Sequence, residues 1–186
     1  MFQDTLSRIV AQLEEAKDQG LLQEFGLIGG LAIAAWGNPR ATQDIDFAIA
    51  LGGAHPSGLA TFLGGTYKEG DQDDPLKGVI RVNFLKTPEP IPIQLIMLPS
   101  VWAEVVFKNI HNLRLGENMI PVVSWEALLL LKLYAGGAKD LLDAQALFAH
   151  QQPNASAHNH VTTMAEKVGL TREWDMFLKN ISDRGT

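Results

Sequence analysis

The stretch that decides the fold is residues 28–50, which read IGGLAIAAWGNPRATQDIDFAIA. The Gly29-Gly30 pair follows a short apolar run and precedes good helix formers, a pattern typical of a strand, a glycine turn and a helix. Asn38-Pro39 predicts a turn. From Asp44 onwards, polar and apolar residues alternate before the sequence becomes fully apolar, as in a strand that runs into a core. The stretch therefore predicts two strands joined through a helix.

The flanking segments continue the alternation of helix and strand patterns. Residues 5–19 carry apolar residues at helical spacing and predict an amphipathic first helix. Residues 52–77 contain six glycines and predict turns around a short helix. Further strands are predicted at 79–85, 91–98 and 119–123, and further helices at 101–109, 124–134 and 139–150, with two short helices after 155. The predicted fold class is α/β (α+β), a small mixed sheet flanked by helices, with residues 1–123 as the core and residues 124–186 as a helical region packed on it.

Composition limits the classes of protein to consider. The 186 residues are 46% hydrophobic and 19% charged, which is typical of a globular chain and not of a disordered one. The absence of cysteine excludes disulfides and thiolate metal sites. A formal net charge of −6 disfavours nonspecific binding along a nucleic acid. With no signal-peptide pattern and no apolar run of the roughly 20 residues that span a bilayer, we expect a cytoplasmic protein without a membrane partner.

Asp44 and Asp46 are the candidate metal ligands. Side chains alternate along a strand, so both carboxylates point the same way and can close on one hard cation. Mg²⁺ is commonly bound by one or two carboxylates together with substrate phosphates. The alternative is that the pair is the ordinary exposed face of an edge strand. Gly29-Gly30 favours the metal site, because glycines let backbone N–H groups approach a phosphate at a helix N-terminus.

The order of these motifs resembles the DNA polymerase beta-like nucleotidyltransferase superfamily. That family combines a Gly-Gly or Gly-Ser turn, an Arg-x-Thr/Ser segment and an Asp-x-Asp strand, which correspond here to Gly29-Gly30, Arg40-Ala41-Thr42 and Asp44-Ile45-Asp46. More narrowly, the chain looks like the bacterial minimal nucleotidyltransferases, among them abortive-infection toxins, which carry a later helical Lys-Asp-x-x-Asp motif. Residues 139–143 read KDLLD, and Lys132 precedes them. The resemblance covers roughly residues 25–148 and implies a nucleotidyltransferase-type sheet.

The resemblance also implies roles for individual residues. Gly29 and Gly30 would cradle the triphosphate, Asp44 and Asp46 would hold Mg²⁺, Lys132 would assist in binding the nucleotide, and Lys139, Asp140 and Asp143 would face the cleft as further catalytic residues. Arg40 and Thr42 would either contact phosphate or brace their loop. A plain i,i+4 ion pair between Lys139 and Asp143 is the alternative for that motif.

One position departs from the family pattern. These enzymes usually supply a third carboxylate from a later strand, and the segment 91–96 presents Gln94 there. A neutral amide lacks the charge to hold a second metal ion firmly, so activation of the acceptor is the step that we expect to be weak. Either another acid replaces it, with Asp71, Asp73, Asp74 and Glu89 as candidates, or the domain binds nucleotide and transfers poorly.

The function implied is transfer of a nucleoside monophosphate from a Mg²⁺-bound nucleoside triphosphate to an acceptor hydroxyl, with release of pyrophosphate. The resemblance suggests a tRNA 3′ end, a protein side chain or a small molecule as acceptor. RNA would need a local basic patch, for which Arg81 and Lys86 are candidates. The alternative, motivated by Gln94, is a catalytically impaired nucleotide-binding module or one member of a toxin–antitoxin pair that binds its cognate partner.

Overall fold

The computed structural model describes residues 2–70, 78–83 and 91–184. Within these residues the chain forms eight helices and seven strands. In chain order they are α1 (Phe2–Asp18), β1 (Glu24–Ile28), α2 (Gly29–Ala35), β2 (Ile45–Ala50), α3 (Pro56–Phe62), β3 (Thr66–Glu69), β4 (Gly78–Val82), β5 (Ile93–Met97), α4 (Ser100–Val106), β6 (Ile110–Leu115), β7 (Asn118–Val123), α5 (Trp125–Ala135), α6 (Ala138–Gln151), α7 (Ala155–Val168) and α8 (Thr171–Arg184).

The strands form one mixed sheet in the order β3-β4-β5-β2-β1-β7-β6. The central strand β2 is antiparallel to β1 and parallel to β5. The outer pairs β3–β4 and β6–β7 are antiparallel, and β1 and β7 are parallel. The strand that carries Asp46 therefore lies in the middle of the sheet, between two neighbours that are themselves internal strands.

The two faces of the sheet differ in chemistry. One face is apolar, and its residues Phe47, Leu95 and Leu27 are fully buried in the continuous hydrophobic core. The opposite face, here called the polar face, carries Asp46 on β2, Gln94 on β5 and Arg81 on β4. These residues are register partners, Asp46 with Gln94 and Gln94 with Arg81, so their side chains lie in one row across neighbouring strands.

Helix α5 closes part of the polar face. Its apolar run is buried, and Ser124 caps its first turn by accepting a hydrogen bond from the backbone N–H of Ala127 at 3.3 Å. Gly136 ends the helix in the left-handed conformation, with φ 64°. Farther along, an aromatic cluster of Phe148, Trp174 and Phe177 holds α6 and α8 together. The C-terminal helices thus form a wall beside the sheet.

The mixed α/β class is confirmed, as are the amphipathic first helix, the neighbouring strands β4 and β5, and the Ser124 cap. The expectation of only turns and a helix in 52–77 was wrong, because Thr66–Glu69 forms β3, and β6 was also missed. Both are edge strands in which no residue is fully buried, so neither carries the apolar pattern of a buried strand. The glycine pair opens α2 instead of preceding it.

The division of the chain at residue 123 stays a prediction. None of the helices in the described ranges has the length and apolar character that a membrane span requires.

Candidate functional site

An open cavity of about 280 Å³ lies between the polar face of the sheet and helix α5. Acidic and polar groups line the sheet side, and mainly apolar groups line the helix side. The lining residues are Ile28, Gly29, Asp44, Asp46, Gln94, Ile96, Leu128, Leu131, Lys132, Tyr134, Ala135 and Asp140. Both aspartates of the Asp-x-Asp pair therefore open into one space, with Asp44 immediately before β2 and Asp46 within it.

Gly29 and Asp46 are in close contact at the base of this cavity. A Cβ atom on Gly29 would come 2.2 Å from Oδ2 of Asp46, and the backbone φ of Gly29 is +66°. Any other residue would clash with the carboxylate and would adopt a left-handed conformation that disfavours side chains. Glycine at this position therefore allows Asp46 to lie against the start of α2.

The loop before β2 is braced from within. Thr42 donates a hydrogen bond from Oγ1 to Oδ1 of Asp44 at 2.6 Å. A Cβ atom on Gly30 would lie 2.8 Å from Oγ1 of Thr42 and 2.9 Å from Nη2 of Arg40, so Gly30 leaves room for both side chains. Of the two roles expected for Arg40 and Thr42, bracing the loop is the one for which the structure provides contacts.

A buried ion-pair network joins this loop to the C-terminal helices. Arg40 faces Asp143, with Nε–Oδ1 at 2.8 Å and Nη2–Oδ2 at 2.9 Å; the Nη2 contact is a hydrogen bond, whereas the Nε contact is an ion pair without hydrogen-bond alignment. Lys132 lies 2.6 Å from Asp140 and 3.0 Å from Asp143. Lys132 and Asp143 are only 8% and 6% exposed. Two cations expected to bind a triphosphate are thus held by two carboxylates of α6.

The burial and the charges around the cavity shift the pKa of Asp46. Burial, reinforced by the negative charge of Asp44, raises the pKa of Asp46 to about 6 from an ordinary 3.8, and Lys132 and Arg40 oppose this rise. A carboxylate that resists ionisation beside another carboxylate is the arrangement that a bound cation relieves.

The donor set fits one hard cation. Asp44 and Asp46 supply two carboxylates to one cavity, and substrate phosphates commonly complete the coordination of Mg²⁺. Within the described parts of the chain, no group of three or more histidine, cysteine, aspartate or glutamate residues could hold a metal ion. The described residues therefore fit one ion that is shared with a ligand, and they do not provide an acidic set for a second.

Gln94 occupies the position expected for the third carboxylate. It is the register partner of Asp46 on the parallel strand β5 and also lines the cavity. On its other side its partner is Arg81 on β4, which in turn pairs with Thr66 on β3. The backbones of neighbouring strands lie about 4.8 Å apart. Arg81 is two strands from Asp46, so their backbones are roughly 10 Å apart along this row.

Not every residue that the sequence indicated lies in the cavity. Lys139 is exposed and is absent from its lining, and Lys132 supplies the amine that meets Asp140 and Asp143. Asp143 is also absent from the lining, because it turns to Arg40 and Lys132, and the alternative of an ion pair between Lys139 and Asp143 is not formed. The alternative acids Asp71, Asp73, Asp74 and Glu89, and the basic candidate Lys86, lie outside the described residues.

The apolar wall was not anticipated from the sequence. Leu128, Leu131, Lys132 and Ala135 line the cavity from α5 at spacings of three, four and seven residues, so they share one helical face. The signal for this face was the single lysine within the run LLLLKLY, because a lysine in a buried helix needs a partner or a cavity.

The fold is similar to that of ANT(2″)-Ia. A crystal structure of that protein in complex with adenylyl-2″-tobramycin matches with a TM-score of 0.55 at 15% identity, over 88% of this chain and 99% of that one. A solution structure of the antibiotic-resistance factor ANT(2″)-Ia also gives 0.55 at 15% identity, over 97% and 98% of the two chains. An antigenic nucleotidyltransferase-like protein from Paracoccidioides brasiliensis gives 0.45 at 16% identity, over 92% and 93%. No protein-family model and no curated protein matches the sequence.

Proposed function

We propose that this protein is a Mg²⁺-dependent nucleotidyltransferase, which moves a nucleoside monophosphate from a nucleoside triphosphate to an acceptor. The observation that carries the proposal is the pair Asp44 and Asp46, which opens into one cavity against Gly29. The shared fold with ANT(2″)-Ia, a protein seen with the adenylylated compound adenylyl-2″-tobramycin, supports this class of reaction.

Each residue of the cavity and its supporting loop has a separate role in this proposal. Asp44 and Asp46 would hold Mg²⁺, which supplies charge neutralisation at the phosphates and aligns them. Thr42 fixes the orientation of Asp44 through their 2.6 Å hydrogen bond. Leu128 and Leu131 line the cavity from α5 and would exclude water from one side of a nucleotide bound there. Catalysis would then rest mainly on alignment and charge stabilisation, as in phosphoryl transfer generally.

Lys132 has two roles in this proposal, one in the ion-pair network and one in nucleotide binding. Its amine lines the cavity and pairs with Asp140 and Asp143. The ammonium has three N–H donors, so a phosphate in the cavity can accept the one that Asp140 and Asp143 leave. We therefore assign Lys132 to nucleotide binding and Asp143 to the structural support of that lysine.

The test is calorimetric titration of ATP with and without Mg²⁺, with pyrophosphate release followed in parallel. The Asp44→Asn/Asp46→Asn variant should lose Mg²⁺-dependent binding, because both proposed ligands of the cation lose their charge. A matched control is Asp18→Asn/Asp175→Asn, which changes the net charge equally at two exposed positions outside the cavity and should bind as the wild type does. Equal binding by the wild type and the Asp44→Asn/Asp46→Asn variant would contradict the proposal.

A second candidate is a nucleotide-binding module without transfer activity, and the observation that favours it is Gln94 beside Asp46. Magnesium-dependent binding of ATP without pyrophosphate release, across acceptors of every class tried, would support this second candidate over the enzyme.

A further inference from the structure

The described residues of the cavity offer no free general base for an acceptor hydroxyl. Its acidic lining residues are Asp44, Asp46 and Asp140, and no histidine lines it. The first two are committed to the cation under the proposed function, and Asp140 is 2.6 Å from the amine of Lys132. Gln94, which faces Asp46 across the strand pair, cannot take up a proton at neutral pH. Among the described residues, none is therefore left to take the proton of a hydroxyl acceptor.

Beyond Gln94, the polar face of the sheet becomes basic and open. Arg81 is the next residue in the row, and Lys68 on β3 lies on the same face, because it pairs with Val79 two residues from Arg81 on β4. Both side chains are exposed. Neither forms an ion pair with another described residue, whereas Arg40 and Lys132 are both paired.

We infer that the acceptor is a phosphate monoester, bound by Arg81 and Lys68, and that its phosphate oxygen is the nucleophile. The inference rests on the proposed function and names its acceptor class. A phosphate monoester has its second pKa near 6, so its oxygens are anionic at neutral pH and no base is needed. The same charge is what an unpaired guanidinium binds best, through two parallel hydrogen bonds.

The reaction balances without a proton leaving the nucleophile. An acceptor phosphate oxygen forms a bond to the α-phosphorus of the nucleoside triphosphate. The bond from that phosphorus to the oxygen bridging the α- and β-phosphates breaks, and pyrophosphate departs with the electron pair. The product is a nucleoside monophosphate joined to the acceptor by a phosphate–phosphate linkage. The amide of Gln94, placed between Asp46 and Arg81, can donate a hydrogen bond to the incoming phosphate without repelling it.

Binding of the acceptor can be measured separately from chemistry. The protein is saturated with Mg²⁺ and an ATP analogue that has a methylene bridge between the α- and β-phosphorus atoms, and glycerol phosphate is then titrated against glycerol. We expect glycerol phosphate to bind at least about tenfold more tightly, since a charge-assisted hydrogen bond is worth at least that ratio. Arg81→Gln should remove about tenfold of this affinity. Arg114→Gln, at an exposed arginine on the opposite edge strand β6, should leave it unchanged.

Gln94→Glu gives the sharpest separation of mechanisms. If the acceptor is anionic, a carboxylate at this position repels it, and the affinity for glycerol phosphate should fall about tenfold. If no phosphate binds beside Gln94, the same substitution should leave the affinity for glycerol phosphate unchanged. The exchange changes one side-chain atom in a half-buried position, and unfolding in urea verifies that the variant is folded.

With ATP itself, pyrophosphate release should require the phosphorylated acceptor. Glycerol phosphate and an oligonucleotide with a terminal phosphate then distinguish a small-molecule source from a nucleic-acid end. Equal binding of glycerol and glycerol phosphate, or an unchanged affinity of Gln94→Glu for glycerol phosphate, would overturn the inference while leaving the nucleotidyltransferase proposal in place. The absence of Mg²⁺-dependent ATP binding by the wild type would instead overturn the proposed function.

Discussion

The positively charged side chains at the two ends of the polar face differ in their burial and in their ion pairing. At the end near α5 and α6, Arg40 and Lys132 are largely buried and satisfied by Asp143 and Asp140. At the other end, Arg81 is exposed and has no ion-pair partner among the described residues. The acidic pair of Asp44 and Asp46 lies between these ends.

The difference separates cations that the fold requires, of which Lys132 is also assigned to nucleotide binding, from an exposed cation that the fold does not require. A buried cation must keep its partner, because an unpaired buried charge is costly. An exposed cation stays hydrated and contributes little to stability, so it remains available to a ligand at little cost to the fold. Three predictions test the two ends and the acidic pair between them, from the largest expected effect to the smallest.

Removing the charge of Asp143 should have the largest effect. Asp143→Asn leaves Arg40 and Lys132 with one carboxylate in place of two, and we expect a loss of about 3–5 kcal/mol in the free energy of unfolding. The measurement is urea unfolding followed by circular dichroism. Glu104→Gln is the control, because its pair with Lys167 is exposed and should contribute less than about 1 kcal/mol. Equal losses in the two variants would remove the distinction between buried and exposed pairs.

Neutralising Asp46 should have an intermediate effect of the opposite sign in the metal-free protein. Its pKa is raised to about 6 by burial and by Asp44, so between about pH 4 and pH 6 the folded state holds a proton that the unfolded state has released. Stability contributed by this proton is present at low pH and is lost as the pH rises through about 6. Asp46→Asn should therefore be more stable than the wild type by on the order of 1–3 kcal/mol at about pH 7.5, with little difference near pH 4.

The measurement for Asp46 is urea unfolding at both pH values in the presence of a chelator. Adding Mg²⁺ with ATP at the higher pH should stabilise the wild type and not the variant, because a ligand that binds only the folded state raises its stability. A variant that is less stable than the wild type at both pH values would show that burial of this carboxylate is not unfavourable.

Removing the charge of Arg81 should have the smallest effect on stability. We expect Arg81→Gln to change the free energy of unfolding by less than about 0.5 kcal/mol, because the side chain is exposed and has no ion-pair partner among the described residues. Thermal and urea unfolding measure this directly. A loss comparable to that of Asp143→Asn would assign Arg81 to the structure and would break the comparison between the two ends.

Prediction from the sequence was more accurate for buried elements than for elements at the edges of the sheet. The alternation around Asp46 predicted its strand, and Ser124 predicted the cap of α5, because both signals depend only on neighbouring residues. Strands β3 and β6 were missed because they lie at the edges of the sheet, where pairing and not an apolar pattern defines the strand. Lys139 was expected to face the cleft and lies outside the cavity lining, because helical spacing alone does not say which face of α6 turns inward.

By itself, the sequence determined that Asp44 and Asp46 share one direction and that a glycine pair lies between a strand and a helix. These follow from the repeat of two residues in a strand and from the conformations open to glycine, which are local properties. Only the tertiary structure decided that Gln94 and Arg81 continue the row from Asp46, and that Asp143 reaches Arg40. Strand order and long-range ion pairs are selected by which distant segments bury the most apolar surface together, and that choice is made by the whole chain.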